Sequence, residues 1–172
     1  MTIELRNLIP FPVREIPHKQ SEVWEQASVV FEAGNFYYLH APSGKGKTTL
    51  LSILYGIRKD FSGELRINGQ ESGTMKEKEW SRIRKTKLSC IFQGLELFEE
   101  LSAWDNILLK NRQSHYRSKE EILQMAEILE IEAFLHQKAG LLSFGQQQRV
   151  AIIRALCQPY SYLLADEIFS HL

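Results

Sequence analysis

Cysteine is scarce in this chain, and long apolar runs are missing altogether. The two cysteines, Cys90 and Cys157, match no zinc spacing, and the five histidines are scattered. A disulfide framework and a zinc module are therefore excluded, and both residues read as reduced, buried thiols. No apolar run approaches the ~20 residues needed to cross a membrane. The first six residues, Met1 to Arg6, lack the basic-then-apolar pattern of a signal segment. The expected location is the cytosol, unless a partner carries the chain to a membrane. Neither sign of charge is in excess: 21 Lys and Arg balance 21 Asp and Glu. That balance argues against a broad basic surface, and no nucleic-acid partner is expected. Internal repeats and low-complexity tracts are absent as well. What remains is 172 residues of ordinary globular composition, enough for one domain with a real core.

One segment stands out in that ordinary background. Ala41, Pro42, Ser43, Gly44, Lys45, Gly46, Lys47, Thr48 and Thr49 form A-x-x-x-x-G-K-T. It follows an apolar stretch, residues 35–40, that reads as a strand. It precedes residues 50–55, which read as a buried helix. Strand, glycine-rich turn and Gly-Lys-Thr opening a helix is the context a phosphate-binding loop requires. In such a loop, successive backbone N–H groups and the helix N-terminus converge on an anion. Lys47 adds a full charge near the outer phosphates, and Thr48 offers a hydroxyl to Mg2+. Ala41 stands where the pattern has its first glycine. Alanine is the smallest substitute, so the departure is mild.

Elsewhere strands and helices alternate. Residues 2–8, 27–32, 64–67, 87–92 and 160–165 have strand patterning. Pro10, Pro12 and Pro17 mark a loop, and Ala33-Gly34 and Asn68-Gly69 mark turns. Residues 75–86 read as a helix. Ser102 with Asp105, and Ser118 with Glu121, are helix-start signals. Residues 143–157 form a further helix with Val150, Ile153, Leu156 and Cys157 on one side. This order predicts an α/β fold with a mainly parallel sheet.

Three further segments carry chemistry. Asp166 and Glu167 end the apolar run 160–165, expected to be a buried strand, and a buried acidic pair needs a cation or a reaction. Beside a triphosphate, Asp166 would enter the Mg2+ shell, and Glu167 would act as general base on the attacking water. Gln93 closes the strand 87–92. It reads either as an amide contacting metal and water or as a polar strand cap. Leu142 to Arg149 opens a helix with Ser143 as N-cap. This is either a second anion site or an ordinary capped helix.

The order A-x4-G-K-T, Gln93, L-S-x-G-Q, then an apolar strand ending in Asp-Glu resembles the ATP-binding-cassette (ABC) ATPase family. The match extends over essentially the whole chain. Residues 90–98 and 163–167 are similar to the branch serving lipoprotein release, macrolide export and cell division. The resemblance implies a P-loop ATPase core with a small antiparallel β subdomain and a helical subdomain. Residues 1–93 and 141–172 would form the core with its β subdomain, and 94–140 the helical part. It implies ATP and Mg2+ as ligands, with Thr48, Gln93 and Asp166 at the metal and Lys47, Gln93 and Glu167 in catalysis. It implies a second ATPase subunit packed head to tail, whose bound γ-phosphate Ser143, Gly145 and Gln146 would touch. Phe144 replaces the first glycine of that motif. The resemblance also implies docking of Gly94 to Leu101 on a membrane permease, with Leu95, Leu97 and Phe98 as an apolar patch. The chain would then sit on the inner face of the cytoplasmic membrane. Phe11 is the candidate to stack on adenine, or else packs in its proline loop; Trp24 is the alternative.

After Glu167 the family usually has Pro-Thr-Ser-Ala-Leu-Asp, whereas here Ile168 replaces the proline and the chain stops at Leu172. His171 is too close to Glu167 to be the family's γ-phosphate histidine. Weak or absent steady-state hydrolysis is therefore expected of the 172 residues alone, whether they are a fragment or an incomplete gene product. The leading expectation is the ATPase subunit of a transporter. A soluble cassette ATPase and a cassette that binds ATP without turnover are the alternatives.

Overall fold

A computed structural model of the chain describes residues 1–14 and 21–167. The expectations for Pro17, Ile168 and His171 lie outside the described residues. The chain divides into two compact units, Met1–Ile83 and the part from Arg84 onward.

The first unit is built on an antiparallel sheet of four strands. These are β1 (Thr2–Pro10), β2 (Ser28–Glu32), β3 (Phe61–Ile67) and β4 (Gln70–Glu71), in the order β2-β1-β3-β4. Alternation sets the buried face: Ile3, Leu5, Leu65 and Ile67 are almost fully buried while their neighbours are not. The alternation slips on β1 after Arg6, where the register with β3 shifts and Leu8 becomes buried. Asn7 is left-handed there (φ 45°), a conformation that one type of β-bulge uses. Gly63 lies opposite with φ 80°, and a Cβ on it would fall 2.2 Å from the Asn7 carbonyl oxygen. Only glycine lets the strands approach so closely. The β3–β4 hairpin turns on Asn68-Gly69, both with positive φ, the pair that a two-residue turn favours. Helix α1 (Lys47–Leu54) buries Leu50, Leu51, Ile53 and Leu54, and α2 (Glu77–Thr86) buries Trp80.

The segment 35–40 is not a strand, which corrects the expectation. Phe36 is 90% exposed and Tyr38 78% exposed. A strand needs a neighbour to take its backbone groups, and none of the described strands lies alongside this one. Tyr37 instead folds back on β2: its ring meets Phe31 edge-on at 5.0 Å, and its hydroxyl accepts the Glu32 N–H at 2.8 Å.

The second unit holds β5 (Leu88–Ile91) and β6 (Tyr162–Ala165), paired in parallel from Leu88↔Tyr162 to Ile91↔Ala165. Parallel pairing is confined to these two strands among the described residues, and the antiparallel sheet is the larger. With β5 on one side only, β6 is half-exposed rather than buried as expected. Helices α3 (Ala103–Asn111), α4 (Lys119–Ile128) and α5 (Phe144–Leu156) pack through Ile107, Ile122, Ala126, Val150 and Ile153. Each buried branched side chain contributes roughly 1.5–3 kcal/mol. The helix starts follow the sequence signals. Ser102 Oγ accepts the Asp105 N–H, and Ser118 with Glu121 closes a reciprocal capping box.

Replacing Gly63 by alanine should cost about 3 kcal/mol, because backbone on β1 must move. Gly69→Ala meets open space and should cost only about 1 kcal/mol of left-handed strain. Thermal or urea unfolding of the two variants checks the difference, and equal losses would contradict the bulge as the cause.

Candidate functional site

The sequence-predicted residues fall in both compact units. In the first, the loop 41–49 turns from Pro42, whose carbonyl accepts the Lys45 N–H at 3.3 Å, into α1. Gly44 (φ 76°) and Gly46 (φ 95°) are both left-handed, and Gly46 is the residue before the helix. No side chain caps this helix. Its first-turn N–H groups, which have no intrahelical acceptor, therefore face out of the loop. Lys47 Nζ donates to the Ala41 carbonyl at 2.8 Å and to that of Pro42 at 3.5 Å, so the ammonium arches over the loop. Thr48 is exposed, and its carbonyl accepts from Ser52 Oγ.

The loop is propped from below. Trp24 is buried and donates its indole N–H to the Lys45 carbonyl at 3.4 Å. A Cβ on Gly46 would lie 3.0 Å from Val13 and 3.3 Å from the Trp24 ring. Trp24 thus supports the loop 41–49, and its burial leaves no open stacking face for a base. Phe11 is half-exposed, with the Arg14 guanidinium 4.3 Å over its ring.

In the second unit the carboxylate end of β6 meets the end of β5. The Asp166 N–H donates to the Ile91 carbonyl at 3.0 Å, extending the parallel ladder by one residue. The Asp166 side chain is 3% exposed, and its Oδ2 has no hydrogen-bond partner among the described residues. A buried carboxylate oxygen left so is costly, and a cation satisfies it. Asp166 therefore fits a metal ion. Among the described residues no three His, Cys, Asp or Glu side chains gather for a protein-only metal cage. One carboxylate is instead the donor set of an Mg2+ that takes its other ligands from phosphate and water.

Gln93 and Glu167 come together: Gln93 Nε2 donates to Glu167 Oε2 at 3.4 Å, and both residues are exposed. Glu167 is held left-handed (φ 52°), a conformation that is strained for a non-glycine residue.

The segment after Gln93 corrects the expected apolar patch. Leu95 is 3% exposed and packs with Ile91, Ala151 and Ala155, while Leu97 is partly buried. Only Phe98, 60% exposed, and Leu101 at its end present apolar surface. Asn106 fixes this stretch, accepting the Phe98 N–H at 2.9 Å and donating to the Phe98 and Ser102 carbonyls.

At the start of α5 the expected N-cap is a full capping box. Ser143 Oγ accepts the Gln146 N–H at 3.3 Å, and Gln146 Oε1 accepts the Ser143 N–H at 2.9 Å. The S-x-x-Q spacing is the signal for this box. Two donors are thereby used internally. A Cβ at Gly145 would meet open space, and Phe144 is half-exposed. The prop under the loop, Trp24, was legible only as a spare aromatic, because nothing in its spacing points to residue 45.

The profile of the ABC transporter family matches residues 24–170. The chain is 35% identical to the lipoprotein-releasing system ATP-binding protein LolD 1 of Chlorobium chlorochromatii over 81% of its own length and 58% of that protein. It is 36% identical to the spermidine/putrescine import ATP-binding protein PotA of Protochlamydia amoebophila over 81% of its length and 37% of that protein. It thus spans less than two thirds of these curated relatives. The solved dimeric structure of MJ0796, described as a bacterial ABC transporter cassette, superposes with a TM-score of 0.78 at 32% identity, covering 99% of this chain and 75% of that one.

Burial pushes both thiols up to about 12, helped at Cys90 by the neighbouring Asp166 charge and at Cys157 by that of Glu121. The reactive thiolate is therefore suppressed in the folded chain. Alkylation of either cysteine by iodoacetamide at pH 8.5 should run at least about a hundredfold slower than in the urea-unfolded chain. Mass spectrometry of quenched samples reads this, and rapid native labelling would contradict the packing.

Proposed function

This chain belongs to the ABC transporter family, and we propose that it binds MgATP and hydrolyses it as the nucleotide-binding subunit of a transporter. The observation that carries this reading is the uncapped start of α1 behind two left-handed glycines, with Lys47 arched over the same turn. Such an end attracts an anion through its N–H groups and its dipole.

The backbone amides of Gly44 to Thr49 hold the β- and γ-phosphates, and Lys47 exchanges its two carbonyl partners for phosphate oxygens. The Phe11 face takes the adenine. Thr48, Asp166 and the Gln93 amide would hold Mg2+, which supplies neutralising charge at the phosphate oxygens. Glu167 accepts the proton of the attacking water, and Gln93, already within reach of Glu167, orients that water.

A second copy or a paralogous subunit completes the site from its own Ser143, Gly145 and Gln146. The capping box leaves the Ser143 hydroxyl proton and the Gly145 N–H for its γ-phosphate. Phe98 and Leu101, within 94–101, dock on a membrane permease, with 94–140 as the helical part and 1–93 with 141–172 as the core. No helix among the described residues is long and apolar enough to cross a membrane. Docked on that permease, the chain would sit on the inner face of the cytoplasmic membrane.

Ligand-dependent thermal unfolding tests the reading. MgATP at a hundred times its Kd should stabilise the chain by about 2.7 kcal/mol. Lys47→Ala should abolish the shift, and Asp166→Asn should remove only its Mg2+-dependent part. Glu167→Gln should accumulate an ATP-bound dimer on size-exclusion chromatography. A wild-type chain indifferent to MgATP would contradict the proposal.

A further inference from the structure

We propose that Arg154 is a positioning residue for the ATPase reaction: it clamps the turn that follows Gln93 and so sets where the Gln93 amide lies against Glu167. The inference rests on the function proposed above for Gln93 and Glu167.

Arg154 lies on α5, three turns beyond Ser143 and about 16 Å along the helix. One Nη donates to the Leu95 carbonyl and the other to the Glu96 carbonyl at 2.6 Å. Leu95 (φ 58°) and Glu96 (φ 50°) are consecutive left-handed residues, and neither is glycine. Two successive left-handed residues turn both carbonyls to the same side, where a planar fork spans them and a lysine ammonium would not.

The turn has two anchors on one helix. Arg154 holds its carbonyls, and Ala151 and Ala155 pack against the buried Leu95 side chain. The Leu95 N–H closes the turn on the Phe92 carbonyl at 2.9 Å, so Gln93 sits inside the loop that Arg154 fixes. Glu167, the partner of Gln93, is itself left-handed. Without the guanidinium, the two left-handed non-glycine residues lose one of the turn's two anchors. The backbone then relaxes and carries Gln93 with it. The same helix begins at Ser143, so the clamp also ties the placement of Gln93 to the element that would face a partner's phosphate.

The test uses the 172-residue chain with Arg154→Met, Arg154→Lys and the double variant Arg154→Met/Glu96→Gly. Glycine at 96 accepts a positive φ without strain and leaves the Leu95 packing intact. Two readouts are taken: backbone hydrogen exchange of residues 94–98 without nucleotide, and kcat with KM for MgATP. Arg154→Met should exchange at least tenfold faster at 94–98 and lose at least tenfold in kcat, with KM within twofold of wild type. Arg154→Lys should fall between, and the double variant should recover most of both losses. Unchanged exchange or unchanged kcat in Arg154→Met overturns the inference. So does a parallel change of kcat and KM that glycine at 96 does not rescue, since that marks a general structural role. If the wild-type chain does not bind MgATP, the proposed function fails; in that case, or where it binds MgATP without turnover, the exchange pattern with its glycine rescue decides the clamp by itself.

Discussion

The backbone N–H groups at the start of α1 cannot be satisfied within the helix, and its N-cap, Gly46, has no side chain to cap them. The other well-formed starts close themselves: α3, α4 and α5 each begin with a serine that accepts an N–H from the first turn. A helix end left open costs stability unless something negative arrives. The surrounding structure holds it open by bending the chain through Gly44 and Gly46 and bracing the bend on Val13 and Trp24. The binding end is thus shaped by main chain and glycine, and it is supported by buried apolar groups that take no part in the chemistry.

Three of the second unit's five left-handed non-glycine residues share one neighbourhood. Seven non-glycine residues have positive φ among the described ones, and three of them, Leu95, Glu96 and Glu167, flank or touch Gln93. Each costs on the order of 1–3 kcal/mol, and such residues cluster where function needs a fixed shape. The packing of Leu95, the Arg154 fork and the Asn106 bracket around Phe98 hold this stretch from three directions. The buried oxygen of Asp166, without a hydrogen-bond partner among the described residues, lies at the end of the adjacent strand. Strain and unsatisfied charge thus lie beside one parallel strand pair.

Much of this could be read from the residues. The hairpin at Asn68-Gly69, the caps at Ser102, Ser118 and Ser143, and the left-handed glycines of the loop 41–49 are local signals that local physics answers. The misreadings share a non-local cause. Residues 35–40 have strand composition, but a strand exists only with a partner, and composition does not say whether one is alongside. The resemblance implies a docking patch that includes Leu95 and Leu97, and residue type does not say to which side of a loop they turn. The left-handed turn sends Leu95 inward onto α5, and no local propensity predicts a left-handed leucine. Arg154 was one arginine in a helical pattern, and its two carbonyl partners lie nearly sixty residues earlier in the sequence.

The central claim is that an anion is held by the main chain of residues 44–48 rather than by surface charge. Amide NMR shifts on titration with MgATP test it most directly. The account predicts large shifts of the Gly44, Gly46, Lys47 and Thr48 resonances, lost in Gly46→Ala, whose added methyl meets Val13 and Trp24. Binding of MgATP that leaves those four resonances in place, or that survives Gly46→Ala unchanged, would contradict it.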